Sequence, residues 1–501
     1  PMNLEISQAY RSLLQFSGHG SGLEYGYGSP EDNKLTMDYR QNYVDNAYLG
    51  AEAVLLKALY QISKPEESLD SEGLFVFNTL SWRRNDLVEI QYPFDTSPEY
   101  DVVDAGTNEI IPSVRKNHKQ YFVAIDVPSF GYKKYLLKPK SVSKEFPGGL
   151  VKTDNSIQNQ YYKITFNTNN SSVTSVVDKK TGKELINNKN SYGLAYPTIE
   201  KFQLNQKHSS ISGSKTSYEI IDESPVRLTI RVKRENDVIE AVDYSLLDGI
   251  DKIYVNANVN LESLKPTDIL EEYGLPFIFD LPNAEVKSEI IGGFIEQDKD
   301  RLPGIDHDGV SLRRAASIFN DDENIIWSTA DARVIRIRED SLTKEPVIIS
   351  NLVNNFPKDW NRHENMTGQI GFRYAFSSAE GSFDPARTSM FGYELNEPLL
   401  VRKSWFRASP SSEEYLTIEN QNIFLLNLKS SDEGIILRLL NTDSGENQTA
   451  KIESRLFTNF KAERIDLLGN KTQDLEVIDN VITLSLKPGE FSDILIKSLN
   501  N

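Results

Sequence analysis

Cysteine is absent from the 501 residues, which excludes disulfides and thiol chemistry together. A basic excess is also missing. The formal net charge of −18 gives a surface that repels nucleic acid and acidic membranes, whereas neutral sugars remain compatible with it. No apolar run approaches the roughly 20 residues of a membrane-spanning helix, and no signal peptide is visible. The glycines form no phosphate-cradling motif, there is no Ser-His-Asp signature or basic aromatic platform, and no internal repeat runs at solenoid or propeller period. Strands do not alternate with helices, so an α/β barrel is excluded. These absences leave a protein of the cytoplasm or periplasm without choosing between them, and they leave the oligomeric state open.

What is present begins with the stretch Phe16 to Pro30, FSGHGSGLEYGYGSP, a histidine among glycines and tyrosines. Upstream, Leu4, Ile6, Tyr10, Leu13 and Leu14 follow helical spacing. Downstream, Ser29 reads as an N-cap, Pro30 as the first helical residue and Glu31 with Asp32 as an acidic first turn. Val44, Tyr48, Ala51, Leu55, Ala58, Leu59 and Ile62 then mark an apolar stripe on a second helix. The unit reads as helix, polar elbow, helix. Within the elbow, His19 reads either as a solvated turn residue or as the commonest type of metal ligand, while Glu24, Tyr25 and Tyr27 offer a carboxylate, hydroxyls and flat faces for a sugar.

After a polar, acidic linker at Ser63–Glu72 the pattern turns to β-structure. Leu74–Leu80, Leu87–Tyr92, Tyr100–Val103 and Tyr121–Val127 predict a small sandwich. Asn78, Ser81 and Trp82 read as structural, an asparagine bonding backbone and a buried tryptophan. From Tyr161 to Arg402 the pattern stays β without a strong helix, which predicts one large double-sheet domain. Within it Glu271–Pro282 reads as a core strand with an acidic lead-in, and Asp306, His307 and Asp308 as a solvent-exposed turn. Trp360 and Arg362 precede a predicted strand at Gly371–Phe376; a tryptophan face can stack on a sugar ring and arginine can donate to hydroxyls, and an interdomain contact is the alternative. The Arg313 and Arg314 pair reads either as ligand donors or as salt-bridge partners. A last linker is predicted at Ser409–Glu414, before a terminal small sandwich running from Tyr415.

The segment YRSLLQFSGHGSG with MDYRQNYVDNAYLGAEAVLLKAL resembles glycoside hydrolase family 38, the zinc-dependent α-mannosidases. FVFNTLSWRRNDLVEI at Phe75–Ile90 is similar to the family's entry into its β region, and QNQYYKITFN with SVTSVVDKKTGKELI to the start of its large sandwich. The resemblance covers nearly the whole chain, as the C-terminal part of a family member. It implies a mainly β fold with an N-terminal helical hairpin, divided as follows: 1–72 the hairpin, part of a three-helix bundle; 73–145 a small β-sandwich; 150–405 a large galactose-mutarotase-like supersandwich; 412–501 a terminal small β-sandwich. It also implies that His19 ligates zinc, while Gly20 stands where the family has a sugar-binding aspartate. In the family the nucleophilic aspartate and three of four zinc ligands come from an N-terminal barrel, so the zinc site is incomplete here and this chain alone is expected to be inactive. The implied partners are that catalytic domain and an α-linked mannoside, in a bacterial protein. The competing readings are a non-catalytic carbohydrate-contacting or structural β-module and, third, an epimerase with a His and Glu facing each other in one sandwich.

Overall fold

The computed structural model describes residues 2–17, 30–64, 71–92, 99–140, 148–203, 206–211, 214–304, 309–357 and 367–499. The two expected helices span Met2–Phe16 and Pro30–Ile62, the second starting at its predicted proline. They pack with Gly50 beside Ala9: a Cβ at position 50 would stand 3.6 Å from that of Ala9, an ordinary van der Waals contact. Lys57 pairs with Glu5 across the hairpin at 2.6 Å. Only the far end of the second helix docks, with Leu59 entering a cluster formed by Phe75, Phe77, Tyr132 and Phe406. Ser404 Oγ holds that end by donating to the Ser63 carbonyl at 2.7 Å.

Much of the predicted apolar stripe is therefore uncovered. Among the described residues nothing buries Tyr48, Leu55 or Ile62, and Leu14 on the first helix is 71% exposed. Helical periodicity says which residues share a face; it does not say that the same chain supplies the opposing surface.

The small sandwich packs Leu74, Val76, Tyr135 and Leu137 of one sheet against Val88, Ile90, Phe122 and Ala124 of the other. Its first strand, Ser71–Asn78, pairs on one side with Gly131–Pro139 and on the other with Leu400–Phe406, so the chain returns to close this sheet after building the large domain. The predicted linker at Ser409–Glu414 is partly strand as well. Ser412–Glu414 pairs with Gly131–Lys133, an approach open because Gly131 lacks a Cβ, which would lie 2.1 Å from the Glu413 carbonyl oxygen.

The large domain is a double sheet. Nine strands lie in the order Thr216–Glu223, Arg227–Arg234, Ile239–Leu247, Ile253–Asn260, Gln369–Glu380, Glu323–Thr329, Ala315–Phe319, Glu285–Ile290, Gly293–Glu296. One face of this sheet (Ile230, Val242, Tyr244, Val255, Phe376, Trp327) packs on residues of a six-stranded and a four-stranded sheet, including Leu275, Phe277, Ile348, Ile164 and Phe166. The Glu271–Pro282 reading holds, since Phe277 and Phe279 are buried and Glu271 and Glu272 pair with Lys201 and Arg336.

The expectation of no strong helix in this region fails at Pro385–Asn396. Its start signal was in the sequence: Asp384 caps it by accepting from the Arg387 amide, and Pro385 occupies the first turn. Gly392 lets this helix sit against the sheet, because a Cβ there would stand 2.9 Å from that of Arg314. The terminal sandwich is present, with Leu439, Ala462 and Ile494 facing Ile452, Ile482 and Leu484. Its first strands are Leu416–Ile418 and Ile423–Ser431.

Candidate functional site

His19, Glu24, Tyr25 and Tyr27 fall in 18–29, and Trp360 and Arg362 in 358–366, both outside the described residues. Asp306, His307 and Asp308 lie outside them too. The ends of the elbow are described: the first helix closes at Phe16, whose carbonyl accepts from Arg40 Nη1 at 3.0 Å, and the second opens at Pro30. Among the described residues no group of three or more histidines, aspartates or glutamates could hold a metal ion.

Arg313 and Arg314 resolve in favour of ion pairing. Both face Glu289, at 3.8 and 3.6 Å, and the Arg314 guanidinium lies 3.6 Å from the Tyr393 ring centroid. Asn78 is structural as expected: its amide donates to the carbonyls of Trp82 and Pro128, and its oxygen accepts from the Leu80 amide and Arg84 Nε. Trp82 differs from expectation. It is only half-buried, and its indole N–H donates to Glu394 Oε1 at 2.8 Å.

That contact belongs to a charged junction that the sequence reading missed. Glu394 projects from the Pro385–Asn396 helix, Lys252 precedes the Ile253–Asn260 strand, and Asp86 comes from the small sandwich. Lys252 Nζ donates to Glu394 Oε2 at 2.6 Å, with both side chains largely shielded. Burial pushes the Glu394 carboxyl up, but the Lys252 charge and the hydrogen bonds from Lys252 and Trp82 overcome it, holding the group below the usual carboxylate range. Asp86 goes the other way. Burial raises it, and Lys252 and Arg84 offset this only in part. Two acids with opposite shifts around one lysine form a buried ionic junction between three elements, and the missed helix is why the sequence did not reveal it.

Beside this junction lies a cavity of about 540 Å³ between the small sandwich and the outer face of the nine-stranded sheet. Asp86, Leu87, Glu89 and Lys116 form one wall; Thr229, Asp243, Ser245, Tyr254, Asn256 and Arg373 form the opposite one; Glu394 and Leu395 close one end.

Residues 422–491 match the model of the glycosyl hydrolases family 38 C-terminal beta sandwich domain. No curated protein matches the sequence. The whole chain is similar in structure to an alpha-mannosidase from Enterococcus faecalis V583, with a TM-score of 0.73 at 13% identity over 98% of this chain and 63% of that one. A second Enterococcus faecalis protein, in glycosyl hydrolase family 38, gives 0.69 at 13% identity over 97% and 65%. This chain thus spans somewhat less than two thirds of the length of both. The fold class read from the sequence is the one observed, and the resemblance to the C-terminal part of a family 38 protein holds.

Proposed function

We propose, taking as premise that this chain has the fold of the C-terminal part of a family 38 protein, that it is the helical and β portion of a zinc-dependent retaining glycoside hydrolase acting on α-mannosides. In this reading His19 gives one ligand to zinc, Glu24, Tyr25, Tyr27, Trp360 and Arg362 line part of the sugar cleft, and the reacting carboxylates belong to a catalytic domain outside this chain. Zinc, when bound, would grip sugar hydroxyls. The residues here would orient the sugar by stacking and by hydrogen bonds.

The observation that supports this most is the uncovered apolar side of the helical hairpin. Leu35, Leu49 and Leu56, which share one side of the second helix, are all exposed. An exposed apolar side of this kind is an interaction site in a well-behaved protein. A catalytic domain is the occupant we propose for it. No helix among the described residues is long and apolar enough to cross a membrane, and we assign the protein to the cytoplasm or periplasm of a bacterium.

The test is hydrolysis of an aryl α-mannoside. The 501-residue chain with added zinc or cobalt should show no turnover. The same chain joined to a family 38 catalytic domain should turn over, and His19→Ala in that context should remove both metal retention and activity. Turnover by the chain alone, or full metal retention after His19→Ala, would overturn the proposal.

A further inference from the structure

A sheet face that is not part of a core is normally solvated, and its side chains need not relate to one another. The outer face of the nine-stranded sheet is different. Successive register partners run Glu219, Arg231, Asp243, Asn256, Arg373 across five strands, a ladder of polar residues in which the neutral Asn256 separates Asp243 from Arg373. Arg231 holds Asp243 with two parallel bonds of 2.7 Å, and Arg373 holds Asp331 at 2.8 and 2.9 Å. A neighbouring row carries Thr229, Ser245 and Tyr254. The small sandwich roofs both rows, with Lys116 Nζ donating to the Ile221 carbonyl at 2.7 Å, and leaves the cavity beneath.

Three features define what would fit. The volume falls inside the range of about 300–1,000 Å³ typical of small-ligand sites. Most charges on the walls are already matched: Arg227 with Asp222 at 2.6 Å, Arg231 with Asp243, Lys252 with Glu394 and Arg373 with Asp331, while Lys116 is held by the Ile221 carbonyl rather than by a carboxylate. An ionic ligand at these pairs would have to break one of them, and the overall charge of −18 disfavours anions further. Finally, the polar groups retain unused capacity. The Tyr254 hydroxyl makes no hydrogen bond among the described residues, the Asn256 amide makes a single bond of 3.3 Å to Asn258, and the Thr229 and Ser245 hydroxyls bond each other at 2.8 Å with lone pairs to spare. A purely apolar ligand would strand these groups.

We propose that this cavity binds a neutral carbohydrate, one or two units of an oligosaccharide. Tyr254 and Asn256 hydrogen-bond its hydroxyls, the arginine-locked carboxylate of Asp243 accepts from it, and Leu87, Leu247 and Leu395 contact its apolar ring faces. This goes beyond the hydrolase reading and does not depend on it, since binding is measured without turnover.

The experiment is calorimetric titration of the 501-residue chain with α-mannobiose, maltose and, as charged probes, mannose 6-phosphate and glucuronate. At least one neutral disaccharide should bind saturably and the charged probes more weakly. Tyr254→Phe and Asn256→Ala should each weaken binding about five- to tenfold, the effect of one lost neutral hydrogen bond, with unchanged thermal unfolding. His19→Ala should leave the affinity as it is. Tighter binding of a charged probe, full affinity in both cavity variants, or no saturable binding of either neutral sugar at roughly 20 mM would overturn the proposal.

Discussion

Removing either partner of the Lys252 and Glu394 pair should loosen the junction between the small sandwich and the large domain, and removing both should largely restore it. The two side chains are 12% and 17% exposed, so solvent screens them little. Breaking such a pair costs about 3–5 kcal/mol, because the remaining charge stays buried without its partner. The lower end applies to Glu394→Gln, since Asp86 also acts on Lys252 and the glutamine oxygen can still accept from Trp82. At tenfold per 1.4 kcal/mol, a loss of about 3 kcal/mol raises the local opening equilibrium roughly a hundredfold. Hydrogen exchange is the suitable assay, because it reads the opening of this junction segment by segment. Amides of 385–396 and 253–260 should exchange about two orders of magnitude faster in Glu394→Gln and in Lys252→Met, and near the parent rate in the double variant. The Glu394 carboxyl is depressed in the folded state, so its stabilisation is present above the ordinary carboxylate range and is lost as the pH falls through the depressed value. Glu394→Gln should flatten that acid limb. Single effects that simply add in the double variant would refute the argument, since they would mean that the two charges do not interact.

Gly73→Ala should prevent the small sandwich from closing, because its Cβ would lie 2.2 Å from the Tyr135 carbonyl oxygen and 2.6 Å from Phe406 Cζ; soluble yield reports this. Gly182→Ala, at φ +76° in open space, should cost only about 1–2 kcal/mol in urea unfolding. Trp327 is fully buried and its indole N–H has no partner among the described residues, so Trp327→Ala should cost about 3–5 kcal/mol while Trp327→Phe costs clearly less, as followed by urea unfolding. Tyr48→Ser with Leu56→Ser should leave stability within about 0.5 kcal/mol per site yet reduce binding of an apolar dye; a large loss of stability would show that these side chains are covered after all.

Particular residues show where the sequence was readable. The strand Arg227–Arg234 follows a period of two: Leu228, Ile230 and Val232 enter the core, and Thr229 and Arg231 lie on the other face. Pro30 opened the second helix where predicted. The Asp384 and Pro385 start signal was equally local but was passed over in a region read as continuous β, and Glu394 was lost with it. Trp82 was legible as structural, whereas its partner, 312 residues away in sequence, was not.

Element type and the order of helices before sandwiches follow from local periodicity, which needs no knowledge of what folds against what. The closing of the first sandwich by Leu400–Phe406, the ion pair joining three elements, the polar ladder and the cavity under its roof were decided only by the tertiary structure. The reason is geometric. Strand pairing and charge pairing link residues hundreds of positions apart, and a one-dimensional pattern carries the face of each strand but not the identity of its neighbour.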